Sequence, residues 1–187
     1  MTIEIGDSVT LKSAILFGLE LYLKNRMAGS QFDPGTVEWG REGFGDDEVR
    51  RRVISFIEPP KPVEIPPPPQ NSQLRTYQWT IFIQGMLPDS MDKPTFFAYE
   101  MCADIKAALV ELVETPRGAM AVSNILNLGP SAQKERNNRN NISNMHIGSE
   151  TVRGSGDHSR FTYFWLPLYL NITEDLKSPR VIAQNPL

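Results

Sequence analysis

Cysteine is almost missing: Cys102 is the single thiol in 187 residues, which excludes an internal disulfide or a cysteine zinc cluster and fits a reducing compartment. A small buried apolar side chain is its expected role. Histidine is nearly as scarce, with only His146 and His158. Asp157 and Glu150 lie near them in sequence, but two imidazoles without ligand spacing read as strand or surface residues, and neither a metal nor any other cofactor is expected. A cationic excess is also lacking. The net charge of −3 argues against a chain built chiefly to grip phosphate backbones. No long apolar run occurs: Glu20 interrupts the stretch from Ala14 to Leu23, and Glu4 and Asp7 stand where a signal peptide is basic. Neither export by that route nor a membrane contact is expected.

Catalytic motifs are missing as well. Gly40-Arg41-Glu42-Gly43-Phe44-Gly45 has the wrong glycine order for a dinucleotide fingerprint, and there is no Walker loop. Ser155 and Ser159 lie beside Asp157 and His158, but neighbours in one turn rarely reach triad geometry, and no nucleophile elbow is present. A non-enzymatic role is expected. Asn141-Ile142-Ser143 and Asn171-Ile172-Thr173 match the glycosylation pattern by chance.

What is present is periodicity. In the stretch from Arg75 to Asp92, Tyr77, Trp79, Ile81 and Ile83 alternate with Thr76, Gln78, Thr80 and Gln84, the signature of a half-buried strand. Gly85 is expected to break it and Leu87-Pro88-Asp89 to turn the chain. Pro94 then opens a helix carrying Phe97, Met101, Ile105, Leu109 and Leu112 at helical spacing, ending at Thr115-Pro116-Arg117-Gly118. This strand, turn and helix are the unit around which the remaining elements are arranged.

Upstream, Asp7 or Ser8 can cap a helix running to about Met27, with Leu11, Ile15, Leu19, Tyr22 and Leu23 as its apolar stripe. Residues 28–47 read as an irregular loop holding Phe32, Trp39 and Phe44, and Arg51 to Ile57 as a short strand. The proline-rich link 59–69 should lie extended. Downstream, Ala119 to Leu128 reads as a short helical segment, and Gly129 to Asn144 as a polar loop with Lys134, Arg136 and Arg139. Those three cations suit either a solvated loop or contact with passing DNA.

A hairpin closes the chain, from a strand Met145 to Arg153 through the turn Gly154-Ser155-Gly156-Asp157 to a strand Ser159 to Ile172. The last strand is apolar on both sides. Phe161, Tyr163, Trp165 and Tyr169 share one face, and Phe164, Leu166, Leu168 and Leu170 the other. So small a monomer has few places to bury both, so one face is expected to meet another subunit or the long loops. Pro167 implies an edge position or a bulge. Residues 174–187 read as an extended C-terminal arm able to order on a partner. The chain is expected to form one α+β domain with its core at about 8–173: a mixed, mainly antiparallel sheet of about four strands, flanked by two or three helices.

This order of elements, with Ile54-Ser55-Phe56-Ile57, Tyr77 to Ile83 and Leu87-Pro88-Asp89-Ser90 as its fixed points, resembles the tail terminator (tail-completion) proteins of long-tailed bacteriophages. The resemblance covers most of Ser8 to Thr173 and is one of pattern. It implies an α+β subunit that assembles as a homohexameric ring, ends polymerisation of the tail tube at the side facing the head, and offers a surface to neck proteins. The implied partners are a copy of itself, the tail-tube protein and neck or connector proteins, in a virion assembled in the host cytoplasm. The loops 129–144 and 154–157, with Lys134, Arg136, Arg139, Gly154, Ser155 and Asp157, correspond to the family's tube and ring contacts. The chain departs from the family in its length, the 28–47 insertion, the proline link and the arm, and a neck or head-to-tail connector is the alternative.

Overall fold

A computed structural model describes residues 3–30, 38–39, 52–59, 66–67, 69–70, 72–113, 122, 125–128, 139–154 and 161–187. In chain order the elements are β1 (Ser8–Thr10), α1 (Leu11–Arg26), β2 (Glu38–Trp39), β3 (Val53–Ile57), β4 (Leu74–Pro88), α2 (Pro94–Val113), β5 (Asn141–Ile147), β6 (Thr151–Arg153), β7 (Phe161–Asp175) and β8 (Arg180–Ile182). The class is α+β, as expected. Two helices pack on a mainly antiparallel sheet whose order is β3-β4-β7-β5, with β6 also pairing β7 and the two-residue β2 parallel to β3. A second, two-stranded sheet joins β1 to β8.

The centre of the sheet is the β4–β7 pair, aligned without a slip from Leu74 opposite Asp175 to Pro88 opposite Phe161. Alternation places Trp79, Ile81 and Ile83 of β4 on the same inner face as Phe164, Leu166, Leu168, Leu170 and Ile172 of β7, all buried. Gly85 does not break β4, contrary to expectation. It pairs with Phe164, and a Cβ there would lie 1.9 Å from the phenyl ring. The glycine makes room for a cross-strand ring, and the strand runs on to Pro88.

The helices cover the inner face. All five residues of the expected α1 stripe are buried: Leu11, Ile15, Leu19, Tyr22 and Leu23. The cap is Thr10, whose hydroxyl accepts from the Ser13 N–H at 3.3 Å, rather than Asp7 or Ser8. Ser8–Thr10 pair with β8, so the helix starts only where that pairing ends. Pro94 opens α2 as expected, with Met101, Ile105, Leu109 and Leu112 buried against the sheet and α1. Each fully buried Leu or Ile here stabilises the fold by about 1.5–3 kcal/mol. In the expected segment from Ala119 to Leu128, the Leu126 N–H donates to the Val122 carbonyl at 2.9 Å, one helical turn. Most of the proline-rich link lies outside the described residues, and Pro66, Pro67 and Pro69 are exposed. Glu38 and Trp39, placed by expectation in an irregular loop, form β2 instead.

On the far side of β7 the expected single strand Met145 to Arg153 is two strands, and the first begins earlier, at Asn141, inside the expected polar loop. Ile147 pairs with Leu168 and Thr151 with Trp165, so the break between β5 and β6 falls at Pro167. Pro167 is therefore central rather than at an edge, and it is tolerated because the ladder is interrupted beside it. Its carbonyl accepts from the Gly148 N–H at 2.8 Å. N–H and C=O of one antiparallel residue face the same neighbour, so the donor that proline lacks falls at that break. The chain turns back through Gly154 into β7, and the turn residues Ser155 and Asp157 lie outside the described residues.

The C-terminal arm is extended, but it orders on its own subunit rather than waiting for a partner. The Gly6 N–H donates to the Ala183 carbonyl at 2.8 Å, the Arg180 guanidinium to the Ser8 carbonyl at 2.7 Å, and the Leu187 N–H to the Ile125 carbonyl at 2.8 Å. Val181 and Ala183 are buried.

Candidate assembly surface

Because side chains alternate along a strand, burying one face of β7 under the helices commits the other face outward. That outer face carries Phe161, Tyr163, Trp165 and Tyr169, all of them half-buried, while the inner-face residues Phe164, Leu166, Leu168 and Leu170 are 0% exposed. The rings form a ladder along the strand. Phe161 meets Tyr163 edge-on at 6.1 Å between centroids, and Tyr163 stacks on Trp165 at 5.9 Å with 12° between planes. Such pairs contribute about 0.5–1.5 kcal/mol beyond the area they bury, which favours these ring positions. Tyr169 lies beyond Pro167, where both pack against Gly148: a Cβ on Gly148 would come within 2.6 Å of the Pro167 ring and 3.0 Å of Tyr169.

The border of this face is polar. Trp165 has Gln84 of β4 on one side and Thr151 of β6 on the other, and Tyr163 has the exposed Arg153 beside it. His146 pairs with Tyr169, is exposed, and shares a 2.8 Å hydrogen bond with Asn144. Glu150 does not join it. It forms an ion pair with Lys106 of α2, and that ammonium holds the Glu150 carboxyl below its ordinary range. Asp157 and His158 lie outside the described residues, and among the described residues no three His, Cys, Asp or Glu side chains are grouped so as to hold a metal. Cys102 is wholly buried, and burial pushes its thiol up to about 12.

Of the loop residues, Lys134 and Arg136 lie outside the described residues, as do Ser155 and Asp157. Arg139 is exposed at the entry to β5, and Gly154 is exposed with the Thr95 hydroxyl of α2 close by. Arg139 borders a polar knot at the end of β7. Burial alone raises the Asp175 carboxyl, but Gln73 donates to both its oxygens at 2.9 Å and the Lys177 N–H donates at 3.0 Å. With the Ser178 N–H and the charge of Arg139, these hold it below its ordinary range.

One apolar surface was not anticipated from periodicity. On α2, Phe96 is 59% exposed, Tyr99 50% and Val110 38%, with Ala103 and Ala107 exposed between them. Its signal is in the sequence, since α2 carries a second apolar stripe besides Met101, Ile105 and Leu109. Among the described residues no helix is long and apolar enough to cross a membrane. The chain matches no protein-family model, and no curated protein matches its sequence.

Proposed function

We propose that this chain is a structural virion protein of the tail terminator kind. In this reading it assembles as a ring on the head-proximal end of a phage tail tube, ends tube polymerisation and presents a surface for joining the head. The observation that carries the reading is the half-buried aromatic ladder on β7, back to back with a face that is wholly buried. Large aromatic side chains held rigidly at a sheet surface, with a polar border, are the composition of a protein interface. A ring subunit needs such a surface, because it must bury part of itself against a copy of itself. The α+β architecture and the resemblance in element order support the same assignment, and the polar loop with Lys134, Arg136 and Arg139 suits the wall of a passage for DNA.

Electron microscopy of the purified protein, alone and mixed with tail tubes, tests the proposal. Rings seated on one end of each tube are the expected result. Binding to capsids with no binding to tubes makes the chain a head-to-tail connector, and binding to neither overturns the structural assignment.

A further inference from the structure

Resting on the ring reading above, we infer that neighbouring copies meet through unlike faces: the exposed ridge of α2 on one copy lies across the aromatic ladder of β7 on the next. Phe96, Tyr99, Ala103, Ala107 and Val110 fall on one stripe of α2, since roughly 100° per residue brings positions 0, 3, 7, 11 and 14 together. Phe96, Tyr99 and Ala103 of that stripe face away from the sheet, Val110 borders a cleft shared with Ile147, Gly148 and Ser149, and the ladder faces away from the helices. The two apolar surfaces therefore lie on opposite sides of one molecule, and neither can cover the other within it.

Shape and charge favour pairing ridge with ladder over pairing either with itself. Ala103 and Ala107 leave a low strip between the bulk of Phe96 and Val110, able to receive the stacked rings of Tyr163 and Trp165. Glu100 is exposed beside the ridge and Arg153 is exposed beside the ladder. A contact between unlike faces sets these opposite charges against each other, whereas a two-fold contact repeats one sign on both sides. A helix laid on the outer face also repeats the packing that α2 already makes on the inner one. Growth of the sheet through its edge is the less suitable route. β5 carries a bulge at Ser143, between Ile142 and Asn144, and bulged edges resist added strands. Unlike faces propagate from copy to copy, and the series of copies closes into a ring when the rotation per copy divides a full turn.

The test is a mixing experiment read by sedimentation velocity over a concentration series, with melting temperatures to confirm folding. Ala103→Arg damages the ridge alone and Trp165→Ala the ladder alone. Wild-type protein is expected to form rings, each variant alone to stay monomeric, and the equimolar mixture to stop at dimers, because one sound ridge and one sound ladder remain. If Ala103→Arg assembles like wild type, or the mixture stays monomeric, the contact between unlike faces is wrong while the ring reading stands. Wild-type protein that is monomeric at every concentration overturns the ring reading and this contact with it. Glu100→Arg and Arg153→Glu, which leave both apolar faces intact, give a second readout. Each is expected to weaken assembly several-fold and the double variant to restore it, and a double variant weaker than either overturns the pairing.

Discussion

Gly85 shows how one residue can be read in two ways. In sequence it looks like a strand breaker, because glycine lowers strand propensity and a turn signal follows it. In the fold it is the opposite, the position that lets Phe164 lie flat across β4, where a Cβ would sit 1.9 Å from the ring. Gly85→Ala is therefore expected to cost about 1–3 kcal/mol through overpacking. Denaturant melts of Gly85→Ala with and without Phe164→Leu check this, since the double variant should cost less than the sum of the single changes. Cys102 gives a second expectation at this scale. With its thiol pushed up to about 12 by burial, the reactive thiolate is scarce at ordinary pH, so labelling by a thiol reagent at pH near 8 should proceed only as fast as the protein opens. Rapid labelling in native buffer contradicts the burial. That Cys102 is a small buried side chain on an apolar helix face was legible in the sequence. The role of Gly85 was not, because it depends on a partner 79 positions away, Phe164, and on register.

Among the elements, β4, α1 and α2 were legible because each carries its own period: alternation in β4, and stripes at helical spacing in the two helices. What local pattern could not supply was pairing. The start of α1 was misplaced because Ser8–Thr10 are held by β8, which lies at the other end of the chain. The two strands β5 and β6 merged into one expected strand because nothing short-range marks the interruption that Pro167 imposes from across the ladder. The turn from β7 into β8 depends on Asp175, whose carboxylate ties Gln73, Lys177 and Ser178 together while its N–H donates to Asn140 at 2.8 Å. Its folded pKa lies below the unfolded value. The sign follows from proton binding: the unfolded chain takes up the proton first as pH falls. The stabilisation is thus complete above about pH 4 and is lost as pH drops toward and through the folded pKa. Asp175→Asn is expected to cost about 2 kcal/mol at neutral pH and to flatten the loss of melting temperature between pH 5 and pH 2 relative to wild type. An unchanged acid limb in that variant assigns the acid sensitivity elsewhere.

At the scale of the molecule, the sheet divides apolar surface unequally. One side closes over a core with α1 and α2, while the other leaves Tyr163, Trp165 and Tyr169 half-buried. Two-sided apolarity in the last strand was legible from the chain itself. The arm was read as free for a partner because a polar, proline-containing tail carries no period, whereas in the fold β8 closes the small sheet against β1. With the arm engaged at home, the contact proposed between copies rests on the faces of β7 and α2. Hydroxyl-radical footprinting of separated monomers and assembled rings tests this most directly. Tyr163, Trp165 and Tyr169 should lose reactivity on assembly while Trp79, 5% exposed in the subunit, stays protected in both forms; equal reactivity of Trp165 in monomer and ring would contradict the account.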